Sequence, residues 1–165
     1  MGYQYHTVGW PSVNQGYAVL CPGQGSQKLG MAAELVAAEP IAATLFGQAS
    51  DILGYDLAGL CAQGPAEKLD QTQYTQPALL VCTYVLWALL SQRWPAPAFI
   101  AGHSLGEITA LALAGALEFT EAVRVVQQRG LLMSQARAGA MAAVLKFDSL
   151  ARVQKTCADL SAQGL

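Results

Sequence analysis

The residues best suited to chemistry in this chain are Ser104, Arg129 and His103. Ser104 is the centre of Gly102-His103-Ser104-Leu105-Gly106, a G-x-S-x-G pentapeptide. In a strand-to-helix turn that pattern lifts a serine hydroxyl to a helix N-terminus, and the turn is so tight that the flanking positions must be small. The helix dipole there favours developing negative charge, and the N–H of Leu105 can donate to an oxyanion. Such a serine is a nucleophile for acyl transfer once a base takes its proton. Adjacent residues on a tight turn point apart. His103 therefore reads as a structural or orienting residue, hydrogen-bonded inside the site, rather than as that base. His6, the other histidine, lies in an unpatterned stretch and reads as a surface residue. In strand-turn-helix serine enzymes the base histidine follows the serine in the chain, and no histidine follows Ser104. Either this chain uses another mechanism or it is a fragment.

Arg129 stands out by its placement. Ala122, Val125, Val126, Leu132, Met133 and Ala136 form a stripe at helical spacing with Arg129 in its middle, while Arg124, Gln127 and Gln128 face away. A guanidinium on a buried face is costly unless an anion pairs with it, and its planar fork matches a carboxylate. The anion is either a protein Asp or Glu, or a carboxylated ligand. Gln27 reads as a loop hydrogen-bonding residue, and Glu107 as favourable charge pairing at a helix start.

Alternating elements must position these groups. Residues 1–16 carry Tyr, Gln, Asn, Gly and Pro without period and read as a leader or mobile arm. Tyr17–Cys21 reads as a buried strand, followed by the glycine-rich loop Gly23-Gln24-Gly25-Ser26-Gln27. Helices are expected over Met31–Ala38 and Ile41–Gly54, with short helix and loop over Leu57–Gln73. Pro77 is expected to open a helix running to Arg93. Ala98–Ala101 reads as a second strand, Gly102–Gly106 as a turn and Glu107–Ala116 as a helix. Thr120 is expected to cap a helix to Ala138. Met141–Phe147 reads as a strand and Leu150–Leu160 as a last helix, opened by Asp148 and Ser149. The alternation points to an α/β fold with a mainly parallel sheet.

Composition narrows the function classes. Apolar residues make up 53% and charged residues 12%, which excludes intrinsic disorder. The net charge is -2 and there is no basic run, so nothing points to nucleic acid. The longest apolar stretch, Ala78–Leu90, is too short to span a bilayer. Four cysteines, Cys21, Cys61, Cys82 and Cys157, form no C-x-x-C pair and read as isolated reduced thiols, with no metal site. A soluble cytoplasmic protein is expected.

Several motifs in order then resemble one family. Pro22-Gly23-Gln24-Gly25-Ser26-Gln27 with Gly30-Met31, Leu60-Cys61 through Gly64-Pro65 and Thr72, Thr75-Gln76-Pro77-Ala78-Leu79, Gly102-His103-Ser104-Leu105-Gly106-Glu107, and Arg129-Gly130 with Met133 resemble malonyl-CoA:acyl-carrier-protein transacylases and the acyltransferase domains of fatty-acid and polyketide synthases. The resemblance covers about residues 17 to 165. It implies that Ser104 takes the acyl group and that the backbone N–H groups of Gln24 and Leu105 form the oxyanion hole. It further implies that Gln76 and His103 line the substrate site and that Arg129 binds the malonyl carboxylate. It implies malonyl-CoA and acyl carrier protein as partners, with phosphopantetheine on the carrier and no bound cofactor. The implied fold is an α/β-hydrolase-like subdomain over residues 17–140, with the start of an inserted, truncated ferredoxin-like subdomain over 141–165. The family's base histidine falls beyond Leu165. This chain is then expected to be inactive alone, and a complementary C-terminal chain is a further partner. A serine hydrolase using water, or a non-catalytic fragment, are the competing readings. A sheet lacking its later strands is expected to expose an edge and an apolar face.

Overall fold

The computed structural model describes residues 16–136 and 149–163. The expected strand Met141–Phe147, the boundary at 140/141 and all but the last residue of the N-terminal arm lie outside those residues. The chain divides into two compact units, Met1–Gln135 and Ala136–Leu165.

In the first unit, strand β1 (Ala18–Cys21) pairs in parallel with β2 (Phe99–Gly102). Ala18 stands opposite Phe99 and Cys21 opposite Gly102. Parallel pairing brings the C-terminal ends of both strands to one edge, so the loops after Cys21 and Gly102 leave side by side. Between the strands lie helices α1 (Ala33–Ala38), α2 (Pro40–Leu53), α3 (Leu57–Gln63), α4 (Ala66–Leu69) and α5 (Thr72–Leu90). After β2 come α6 (Leu105–Leu113) and α7 (Phe119–Ser134). The expected α/β order is present, but the described sheet has two strands and the unit is mostly helical.

Local signals set several helix ends. Pro40 opens α2, and Gly54, with φ 78°, closes it in the left-handed conformation. The Asp56 carboxylate caps α3 by accepting from the Gly59 N–H at 2.9 Å. Two expected starts differ. Helix α5 begins at Thr72, not at Pro77, which lies inside it. Proline within a helix loses one hydrogen bond, here to the Gln73 carbonyl, at a cost of about 3 kcal/mol. Burial of Thr75, Gln76, Pro77 and the run Ala78–Cys82 offsets that loss. Helix α7 is led in by Glu118, so Thr120 is already helical rather than its cap.

The core gathers Phe46, Leu57, Leu80, Val81, Leu105 and Val126, among others, between α2, α3, α5, α6 and α7. The stripe that α7 buries is Phe119, Ala122, Val123, Val126 and Gly130. This corrects the expected stripe: Val125, Leu132 and Met133 are exposed, Leu132 to 67%, and Arg129 lies at the buried edge rather than in its middle. Gly130 is small for a reason. A Cβ there would lie 2.8 Å from the Gln73 Cα and 3.0 Å from the Thr72 carbonyl oxygen, so α7 and the first turn of α5 touch backbone to backbone.

The cysteines also differ from expectation. All are free thiols, but Cys61 and Cys82 are buried beside each other, not isolated. The neighbouring Cys61 thiol, and then burial, push the Cys82 thiol pKa up. Apolar side chains remain outside the core, including Leu20 on β1 at 77% exposure and Trp94 at 55%. Among the described residues no helix is long and apolar enough to cross a membrane. In the second unit, Ser149 precedes helix α8 (Leu150–Ala162), which carries an exposed Lys155–Asp159 ion pair at 2.6 Å and buries no residue.

Candidate functional site

The site is built where β2 turns into α6. Ser104 sits at the junction with φ 55° and ψ −106°, a backbone conformation that L residues rarely adopt. The surrounding glycines make that turn possible. A Cβ on Gly102 would run into the Gly106 carbonyl, and a Cβ on Gly106 into the Cys21 carbonyl of the neighbouring strand. The Glu107 carboxylate accepts the Ser104 N–H at 3.2 Å, holding the turn closed. Leu105 is the first residue of α6, so its N–H has no acceptor within the helix.

The loop after β1 reaches the same place. The space a Cβ would take at Gly23 is bounded by the His103 ring, at 2.9 Å from Nδ1, and by the His103 carbonyl at 3.0 Å. The glycine-rich loop is thus pressed onto the serine turn. Gln27 pins it: its Oε1 accepts the Gly25 N–H at 2.8 Å and its Nε2 donates to Asp70 at 2.9 Å. That matches the loop role expected for Gln27.

Arg129 arrives from α7. Its Nη2 donates to Ser104 Oγ at 2.9 Å, and its Nη1 donates to Gln76 Oε1 at 2.7 Å. Gln76 is fully buried, and its Nε2 donates to Thr72 Oγ1 at 2.8 Å and to Met133 Sδ at 3.3 Å. Thr72 Oγ1 in turn donates to Gln24 Oε1 at 2.8 Å. One hydrogen-bonded chain therefore runs from the glycine-rich loop through α5 and α7 to the serine. Beside Arg129 lies an open, apolar hollow of about 540 Å³ lined also by Val125, Leu132 and Met133.

Five of the six expected site residues, Ser104, Leu105, Gln24, Gln76 and Arg129, come together in this way. His103 also lies at the site, but it is exposed, and among the described residues its side chain has none of the hydrogen bonds expected for it. Its ring instead packs on Gly23. Thr72 and Met133, noted only as parts of motifs, turn out to hold Gln76. The signal for Thr72 was its spacing of one helical turn from Gln76, hidden by placing the helix start at Pro77.

The arrangement combines a strained serine at a helix N-terminus, the free Leu105 N–H of the helix's first turn and a cation that points only hydrogen-bond donors at it. Arginine cannot accept a proton, and among the described residues no acceptor takes the Ser104 hydroxyl hydrogen. These parts could hold an anion at the serine; they include no group that could take its proton.

Known proteins are similar to this chain in sequence and in shape. The profile of the acyl transferase domain family matches residues 19–161. The malonyl CoA-acyl carrier protein transacylase of Escherichia coli K12 is 48% identical over 145 residues, which is 86% of this chain and 47% of that protein. A FabD crystal structure from Acinetobacter baumannii superposes with a TM-score of 0.80 at 45% identity, over 90% of this chain and 48% of that one. A malonyl-transacylase solved in complex with its type II polyketide-synthase acyl-carrier protein gives a TM-score of 0.69 at 48% identity, over 73% and 39% of the two chains. The chain spans about half the length of the curated transacylases it matches.

Proposed function

Because the chain belongs to the acyl transferase domain family, we propose that it carries the nucleophile, oxyanion and carboxylate-binding parts of a malonyl transacylase. The observation that carries the reading is the contact of one guanidinium with both Ser104 Oγ and the buried Gln76. A cation fixed at the nucleophile favours an acyl group that ends in a carboxylate. An acetyl group would leave it without an anion.

In the proposed reaction, Ser104 Oγ attacks the thioester carbonyl of malonyl-CoA. The N–H groups of Leu105 and Gln24 hold the oxyanion while Arg129 holds the malonate carboxylate. The C–S bond then breaks, coenzyme A leaves as its thiol, and malonyl remains as a serine ester. The phosphopantetheine thiol of acyl carrier protein attacks that ester, the C–O bond breaks, and the serine hydroxyl reforms. The reaction calls for no bound metal or nucleotide. The base is assigned to a part of the family domain outside the described residues, supplied by a complementary C-terminal segment. Residues 17–140 then belong to an α/β-hydrolase-like subdomain and 141–165 to the start of an inserted ferredoxin-like one. His103 borders the substrate site through its packing on the oxyanion loop. The setting is the cytoplasm, where coenzyme A thioesters and reduced thiols coexist.

Titration calorimetry with malonyl-CoA and acetyl-CoA tests the reading. Malonyl-CoA should bind more tightly, and Arg129→Ala should remove the difference. Equal affinity of the two esters for the unaltered chain would refute it. Added holo acyl carrier protein and intact-mass analysis separate transfer from hydrolysis: release of free malonate in place of malonyl-carrier would favour a serine hydrolase. For this chain alone, acylation of Ser104 is expected to be slow.

A further inference from the structure

We propose that Thr72 is a positioning residue: its hydroxyl fixes the amide orientation of Gln76, and through it the guanidinium of Arg129, according to how the oxyanion loop is seated. The inference rests on the reading of Gln24, Arg129 and Ser104 above, but the coupling itself can be tested without substrate.

The argument is one of hydrogen-bond direction. A threonine hydroxyl has a single hydrogen to give. Here it goes to Gln24 Oε1, an oxygen carried by the glycine-rich loop. The hydroxyl can then offer Gln76 only lone pairs, so Gln76 must present its NH2 end to Thr72. That turns the Gln76 carbonyl oxygen toward α7, where it accepts from Arg129 Nη1. Were the Gln76 amide reversed, its NH2 would face a guanidinium that has only donors. The pair would repel, and Arg129 would lose the contact that aims its second nitrogen at Ser104. Gln76 is fully buried, so water cannot make up a missing bond at its side chain. The close approach of Gly130 to Thr72 and Gln73 keeps the two helices near enough for the chain to close. Seating of the loop and aim of the arginine are thus one state of the site. The loop has a second tether through Gln27 and Asp70, so loss of the Thr72 bond loosens it without detaching it.

The test perturbs one end and reads the other, using the 165-residue chain. Thr72→Val removes both hydroxyl bonds, and Thr72→Ser keeps them. Amide hydrogen exchange in loop residues 23–27, relative to core amides of α5, should accelerate about fivefold to tenfold in Thr72→Val. It should stay within about twofold of the unaltered chain in Thr72→Ser. In the reverse direction, Gln24→Leu alters an exposed loop residue and leaves the core intact. The Gln76 side-chain amide and Arg129 Nε–H resonances should shift or broaden. If the loop of Thr72→Val exchanges as in the unaltered chain, or if Gln24→Leu leaves both resonances in place, the coupling is wrong. Substrate supplies the functional arm: Thr72→Val should lose most of the preference for malonyl-CoA over acetyl-CoA, and Thr72→Ser should keep it. Should the unaltered chain bind neither ester, the proposed function fails while the two coupling measurements still decide the role of Thr72.

Discussion

Two glycine-to-alanine changes should move the stability of this protein in opposite directions, because the structure gives them opposite surroundings. In a helix interior, alanine in place of glycine gains about 0.5–1 kcal/mol from backbone entropy and helix propensity. Gly47 lies within α2, on an exposed face, and nothing lies within 4 Å of a Cβ built there. Gly47→Ala should therefore stabilise by about that amount. Gly130 lies within α7, and a Cβ there meets Gln73 Cα at 2.8 Å and the Thr72 carbonyl at 3.0 Å. Both obstacles are backbone, so the helices must separate, and overpacking of this kind costs about 1–3 kcal/mol. The net expectation for Gly130→Ala is a loss of up to about 2.5 kcal/mol, after the same helix gain is subtracted. Urea unfolding followed by far-ultraviolet circular dichroism measures both variants against the unaltered chain, with the slope of the transition checked for constancy. If both alanines stabilise, α5 and α7 do not approach as closely as the structure has them. The contact that delivers Arg129 to Gln76 would then be in doubt as well.

Tyr55 carries the buried polar atom that lacks a hydrogen-bond partner among the described residues. Burial, then the neighbouring Cys61 and Tyr74, push its phenol pKa above the ordinary tyrosine value. The stability this gives is full below the unfolded value of about 10 and is lost as pH rises through the folded one. Tyr55→Phe should be neutral or stabilising by up to about 1 kcal/mol at pH 7. Its melting temperature should also fall less steeply than that of the unaltered chain above about pH 10. Thiol labelling of the native protein should modify exposed Cys157 first, with Cys21, Cys61 and Cys82 reacting only on unfolding; early labelling of the buried three would contradict the packing. The exposed apolar side chains Leu20 and Trp94 should bind anilinonaphthalene dyes and promote self-association, and Leu20→Lys with Trp94→Lys should reduce both. An unaltered chain that stays monomeric and binds no dye would show that this face is covered.

The serine turn and its strand-to-helix setting were legible because Gly102 and Gly106 are demanded by close backbone contact, and such demands show in sequence as glycine. Arg129 was legible as a charge beside an apolar period. The exact stripe was not: Val125, Leu132 and Met133 share the residue type of a buried face, but on α7 they stay exposed, with only the Met133 sulfur reaching Gln76 on α5. Periodicity reports which side chains could be buried, not which have a neighbour to bury against. The start of α5 differs from expectation because proline preferences are local, whereas the bonds from Gln76 to Arg129 and Met133 of α7 are tertiary. That one displaced boundary hid Thr72 and its bond to Gln24. Cys61 and Cys82 lie side by side where α3 meets α5, and no local pattern marks that meeting.

The parallel pairing of β1 with β2 also bears on when the site comes into being. For this pairing Ala18 must find Phe99 across five intervening helices. Closing that loop costs chain entropy before any ladder bond is made, so such contacts form late. Until they do, Gly106 has no neighbouring strand to rest on, the loop carrying Gln24 is not held to the turn, and Ser104 has no cause to adopt its strained angles. A chain emerging during synthesis, or one that has opened locally, would carry an ordinary serine. The same strand pairing that positions the nucleophile would keep it quiet in every state but the folded one.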